Sequence, residues 1–281
     1  MDEITTDNLD LSEAEFETLL QETLEQAHEG DNREILPPNS ETLLMDESSS
    51  RFSSAIWFNK IGEQTVTLAG LGGIGSYTAF LLGRLKVDRL IVWDNDTVDE
   101  TNLSGQLFST LDVGCSKAGS VARILSNFAQ YHRTVAMNQR YTEESSSTNI
   151  MICGFDNMAA RKTFYNRWKF HVMSLAEKER EKCLFIDGRL AAEEFQVFCI
   201  KGSDTYLMKK YENEWLFSDT EAEETLCSYK QTSFCANMIA SVMVNLFVNF
   251  IANQCEPLIE RELPFYTNYD AERMHFKTEM I

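Results

Sequence analysis

The sequence predicts a doubly wound, mostly parallel α/β sheet preceded by an acidic helical appendage. Three observations predict it. From Arg51 onward, short apolar runs alternate with segments of helical period, the pattern of a parallel sheet covered on both faces. A Gly70-x-Gly72-x-x-Gly75 turn falls directly between the first apolar run and the first helix. The charge is also split: residues 1–50 carry 15 acids and one base, Arg33, whereas residues 51–281 carry 29 acids and 24 bases. Two parts are therefore expected, an arm over 1–50 and a folded domain over 51–281.

In the arm, Leu11-Ser12-x-x-Glu15-Phe16 has the form of a capping box with a hydrophobic staple. Phe16, Leu19, Leu20, Leu24 and Ala27 then share one helix face, and Gly30 suits the position after its end. Pro37-Pro38 and Ser48-Ser49-Ser50 bracket a linker. Such a helix either folds back on its own domain or serves as a docking arm for a partner.

In the domain, apolar runs predict strands over 65–69, 89–93, 134–137, 150–153, 184–186 and 195–200. Helices are expected over 74–86, 117–130, 158–179 and 236–252, with a short edge strand over 265–269. Residues 201–230 are charged and weakly periodic, and no element is assigned there.

Composition removes several classes. A chain of 281 residues with 43% apolar content can build a sizeable core, and 4 Pro with 13 Gly exclude low-complexity architectures. No Lys/Arg cluster marks a nucleic-acid surface. Seven Cys without a C-x-x-C pair argue against a disulfide framework and against a Cys-rich zinc site. The acidic start, MDEITTDNLD, lacks the apolar core of a signal peptide, so cytoplasmic residence is expected. The apolar stretch Cys235–Ala252 approaches spanning length, but Asn237, Ser241, Asn245 and Asn249 line up as a polar stripe. A buried helix, placed at a subunit contact, is expected instead of a membrane span.

Gly70, Gly72 and Gly75 between strand and helix have the context of a dinucleotide fingerprint. Glycines let phosphate or ribose approach the backbone, and the helix start offers unpaired N–H groups. Asp94 ends the next strand, where a carboxylate can accept from both ribose hydroxyls. Together these give a Rossmann-like, nucleotide-binding domain. On these residues alone an NAD-linked oxidoreductase remains open.

The residues that follow are more specific. Asp94-Asn95-Asp96-Thr97-Val98 leads to Asn102-Leu103-Ser104-Gly105-Gln106, then Asp112-Val113-Gly114-x-x-Lys117, and later Cys153-Gly154-Phe155-Asp156-Asn157. With Gly70-x-Gly72-Gly73-x-Gly75, the whole from about Arg51 to Ala252 resembles the ThiF/MoeB/HesA family of ubiquitin-activating-enzyme-like adenylyltransferases. The resemblance implies that Gly70, Gly72, Gly73, Gly75, Asp94, Asp96, Asn102, Gln106, Lys117 and Asn157 bind nucleotide. It implies ATP as nucleotide, with Asp156 holding Mg²⁺ and Lys117 and Asp156 acting in catalysis. It further implies a homodimer and an acceptor that is a small ubiquitin-like or carrier protein activated at its C-terminal carboxylate. The physics agrees: a lysine and a carboxylate-bound Mg²⁺ suit the negative charge that builds on phosphoryl oxygens. Taken singly, Lys117 also reads as a solvated helix residue, and Asp156-Asn157 as an ordinary N-cap.

The match breaks at two cations. The family's N-L-x-R-Q has Gly105 in place of its Arg, and its R-Y-x-R becomes Arg51-Phe52-Ser53-Ser54. Arg189 or Arg51 are the candidates for replacement charge, and a nucleotide-binding pseudoenzyme or scaffold stands as the alternative reading. Zinc is not expected. In relatives a Cys can precede the last long helix, which makes Cys227 the candidate thiol; the carboxylates at Asp219, Glu221, Glu223 and Glu224 disfavour its thiolate.

Overall fold

The computed structural model describes residues 55–217 and 232–280. The acidic arm with its expected helix, Arg51, Ser54 and Cys227 lie outside the described residues.

The strands are β1 (Thr65–Ala69), β2 (Arg89–Trp93), β3 (Thr134–Met137), β4 (Ile150–Cys153), β5 (Leu184–Ala191), β6 (Glu194–Lys201), β7 (Tyr266–Asp270) and β8 (His275–Glu279). They form one sheet in the order β3-β2-β1-β4-β5-β6-β7-β8. The first five run parallel, and β6, β7 and β8 add on antiparallel. The helices are α1 (Ile56–Ile61), α2 (Gly73–Arg84), α3 (Lys117–Ala129), α4 (Met158–Ser174), α5 (Glu177–Arg180), α6 (Thr205–Trp215) and α7 (Ser233–Asn253).

Strand alternation divides the core in two. Val66, Leu68, Ile152 and Ile186 meet α2, α3 and α7 through Leu82, Leu125, Met243 and Phe247. Met151, Phe185 and Phe198 meet α4 and α6 through Phe164, Tyr165, Trp168 and Tyr211 on the other face. Each of these large side chains contributes about 1.5–3 kcal/mol by leaving water. The fold is thus doubly wound, as the sequence predicts, with parallel pairing confined to the half that bears the glycine turn.

Helix α7 is long and apolar enough to cross a bilayer, yet Ile239, Met243, Phe247 and Ile251 are enclosed by the chain's own core. Its exposed face carries Asn237, Ser241 and Asn245. Its core-facing side is therefore covered within one chain, while Phe234 near its start stays 51% exposed.

The expected helix over 158–179 stops at Ser174. Leu175 turns extended, and the Arg180 guanidinium takes up the carbonyls of Leu175 and Met173 at 3.1 and 3.3 Å. Strand β5 runs on to Ala191, five residues past its expected end. The unassigned stretch after residue 200 opens with α6, whose start is capped by Asp204 accepting from the Leu207 N–H at 2.9 Å.

Candidate active site

Extended parallel strands expose their C-terminal ends along one edge, and here five of those ends line a single cleft of about 800 Å³. Across the sheet the lining runs from Gln139–Tyr141 after β3, through Trp93–Asp96 at the end of β2 and Gly70, Gly72, Gly73 and Ile74 after β1, to Gly154–Arg161 after β4. It ends with Arg189 and Leu190 on β5, and with Phe217. The ladder continues beyond the strands and fixes these loops: the Gly70 N–H donates to Trp93 O, Gly154 N–H to Ala69 O and Asp94 N–H to Met137 O.

The glycines do different jobs. Gly70 has φ +81°, and a Cβ there would stand 2.6 Å from the Gly154 backbone. A Cβ on Gly75 would stand 1.8 Å from Gly70 O. Gly70, Gly75 and Gly154 therefore let turn, helix and neighbouring loop touch through bare backbone. Gly72 differs: a Cβ there meets only Gln106 Nε2, at 3.9 Å, so its missing side chain opens the backbone to the cleft. No side chain caps α2, and Gly73 begins it at the cleft wall. Gly75 itself lies behind the lining.

Asp94 is half-buried. Its Oδ2 accepts from the Leu71 N–H at 2.7 Å and its Oδ1 from the Asp96 N–H at 2.8 Å. Burial raises its pKa, and those two N–H groups and Lys117 work against the rise. Lys117 is 7% exposed. It is drawn in because its N–H donates to Asp96 O at 3.0 Å, while Ser116 caps the helix by accepting from the Gly119 N–H at 3.2 Å. Its Nζ pairs with Asp96 Oδ2 at 3.1 Å. The solvated-lysine alternative does not hold.

Asn157 is the N-cap of α4, accepting from the Ala160 N–H at 2.8 Å, and it lines the cleft as well. Asp156 stands exposed beside it, accepting from Asn157 Nδ2 at 3.2 Å, without an ion-pair partner among the described residues. Gln106 lines the cleft with a buried Oε1 that has no hydrogen-bond partner among the described residues. Asn102 is not brought to the cleft. Its Oδ1 accepts from the Asp99 N–H at 3.0 Å and locks the turn at Glu100–Asn102. Gly105 is buried in the same segment, donating to Asn102 O at 3.2 Å, so no cation stands where the family has one.

Sequence reasoning missed three lining or supporting groups. Arg140, after β3, has no hydrogen bond or ion pair among the described residues. Arg161 donates to Asp187, to the Phe155 carbonyl and to Gly188 O. Tyr211 donates to Asp187 Oδ2 at 2.8 Å. Arg161 is betrayed in sequence only by its register: Met158, Arg161, Phe164, Tyr165 and Trp168 share the buried face of α4.

A family model, the ThiF family, matches residues 49–280. The chain belongs to the ThiF family. Among curated ThiF-type relatives, ubiquitin-like modifier-activating enzyme 5 of Drosophila willistoni is 28% identical over 147 residues, covering 46% of this chain and 35% of that protein. The protein of the same name from Bombyx mori is 37% identical over 70 residues, covering 25% of this chain and 18% of its own length. The matches thus span about a third or less of those relatives. Among solved structures, PaaA aligns with a TM-score of 0.64 at 14% identity, covering 97% of this chain and 84% of PaaA. MccB of E. coli solved with ATP aligns at 0.61 and 15% identity, covering 96% and 79%. At such identities these structures show the shared fold. A hydride-transfer reading explains neither Lys117 nor Asp156 in the cleft of this ThiF-family chain.

Proposed function

We propose that this chain activates a carboxylate by adenylylation, with ATP and a carboxylate giving an acyl-adenylate and pyrophosphate. One observation carries the reading: the bare glycine turn at the start of α2, Asp94, Lys117 and Asp156 all face one cleft. A carboxylate oxygen forms a bond to the α-phosphorus, the bond from that phosphorus to the bridging oxygen breaks, and pyrophosphate leaves. Asp94 accepts from the ribose hydroxyls, the backbone of Gly72 and Gly73 meets the phosphates, and Lys117 offsets the charge that develops on them.

Asp156 fits a Mg²⁺ site of the kind that relies on one protein carboxylate plus phosphate oxygens and water. It is exposed at the cleft, and among the described residues it has no ion-pair partner and belongs to no cluster of three metal-ligating side chains. The ion would arrive with the nucleotide and neutralise the departing pyrophosphate.

The acceptor we propose is the C-terminal carboxylate of a small ubiquitin-like or carrier protein or peptide. Support comes from the relatives that carry the name ubiquitin-like modifier-activating enzyme 5 and from MccB, which was solved with ATP and with MccA. A homodimer and a thiol step at Cys227 belong to the same proposal. ATP–pyrophosphate exchange tests it: exchange that depends on an acceptor and disappears in Asp156→Ala supports adenylylation. ATP binding without exchange favours the scaffold reading, to which Gly105 and the locked Asn102 lend weight.

A further inference from the structure

The order of strand ends assigns each side of the cleft. Asp94 after β2 holds the ribose and α2 after β1 receives the phosphates, so the partner carboxylate must approach from the β4–β5 side. That side ends at Arg189. This assignment rests on the adenylylation reading above.

Arg189 is mounted as a recognition group. Its Nε donates to Asp187 at 2.9 Å and its Nη2 to Trp215 O at 2.9 Å. Its guanidinium lies over the Phe198 ring at 4.7 Å and near the Phe217 ring at 5.8 Å. Such a planar, braced fork loses little freedom when it takes up a carboxylate. Its Nη1 makes no hydrogen bond among the described residues. Charge is unbalanced there too: Arg161 and Arg189 both pair with Asp187, the only carboxylate bonded to either among the described residues. Among the described residues bonded to this pair, Asp187 thus sets one negative charge against two positive ones. Neighbouring parallel strands lie about 4.8 Å apart, so β5 stands about 10 Å to the side of the phosphate turn, a distance that suits a group beside the reacting carboxylate.

We propose that Arg189 is a specificity residue for the acceptor, which carries a second carboxylate, an acidic side chain at its last or penultimate residue, beside the carboxylate that is activated. A Gly-Gly tail leaves Arg189 without a partner.

The test is binding of acetylated tetrapeptides with free C-termini that differ only in Glu, Gln or Lys at those two positions. Affinities are measured calorimetrically on the full chain with a non-hydrolysable ATP analogue and Mg²⁺. The expected result is binding of the Glu peptides about tenfold more tightly than their Gln counterparts, an advantage that weakens but persists between 50 and 500 mM salt, because the Arg189 side chain is 13% exposed and a partly buried pair is screened less than a surface one. In Arg189→Gln the ratio falls to about one, and Arg189→Lys keeps part of it. Should Arg189→Gln fail to fold, Arg189→Lys and the salt series on wild type decide. Equal binding of Glu and Gln peptides, no binding of either, a preference that survives Arg189→Gln, or a loss that falls on the nucleotide overturns the proposal. Pyrophosphate exchange separates the two ideas. Acidic preference without exchange leaves this subsite and removes adenylylation, and exchange without preference does the reverse.

Discussion

Arg161 and Asp187 form an ion pair sealed from water, their side chains 5% and 0% exposed. The same guanidinium donates to the carbonyl of Phe155, the residue before Asp156. One side chain of α4 thus ties β5 to the loop that presents the proposed Mg²⁺ carboxylate. Breaking a buried pair from one side leaves a charge without compensation, which is costly. Asp187→Asn is expected to destabilise the domain by about 3–5 kcal/mol, because Arg161 and Arg189 then face each other. Urea unfolding checks it, and a change below 1 kcal/mol contradicts it.

The glycine turn separates packing from binding. Gly75→Ala, with its Cβ 1.8 Å from Gly70 O, should cost several kcal/mol or prevent folding, of the order of about 3 kcal/mol for a forced backbone shift. Gly72→Ala meets only Gln106 Nε2, at 3.9 Å. It should change stability by about 1 kcal/mol and weaken ATP binding by at least about tenfold. Thermal unfolding beside nucleotide titration distinguishes the two.

Lys117→Met keeps the apolar stem and removes the ammonium. Asp96, its partner, is 60% exposed and is readily solvated. Folding should therefore change little, while the rate of pyrophosphate exchange falls by about 10²–10³. Equal exchange rates in the variant and wild type contradict the role.

Asp112 gives a pH signature. Burial alone pushes its pKa up, but the Ser109 N–H and Oγ and nearby Arg123 more than reverse this and hold it below the usual carboxylate value. A depressed folded-state pKa contributes stability that is present above the unfolded value, about 3.9, and is lost as pH falls through the lowered one. Asp112→Asn should cost about 1–2 kcal/mol at pH 7, and the gap should close below about pH 4. A gap that stays constant from pH 7 to pH 3 contradicts the assignment.

The readable parts of this fold are those whose local pattern and tertiary role agree. Thr65–Ala69 and Ile150–Cys153 are buried almost throughout, without an exposed alternate face, because both faces of the sheet are covered there. Asp187-Gly188-Arg189 reads instead as the end of a strand. Asp187 and Arg189 share the face toward α4 and α6, where Arg161, Tyr211 and the Trp215 carbonyl, remote in sequence, make their burial tolerable. The lack of a Cβ at Gly188 leaves room for Met243 of α7. Strand β8 is exposed along most of its length and so carries no alternation to detect. In the site, Gly70, Asp94, Lys117 and Asp156 were legible because each follows its strand or opens its helix at a recognisable spacing. Asn102 carries the same spacing, but its side chain is engaged in closing its own turn.

The central claim is most directly tested with ATP labelled at the α-phosphate, incubated with Mg²⁺, the full chain and extract of the native host as a source of acceptor. Transfer of label to a protein or peptide by wild type, and none by Asp156→Ala, is the predicted result. ATP recovered intact, with binding still evident from thermal stabilisation, contradicts adenylylation and points to a nucleotide-binding scaffold.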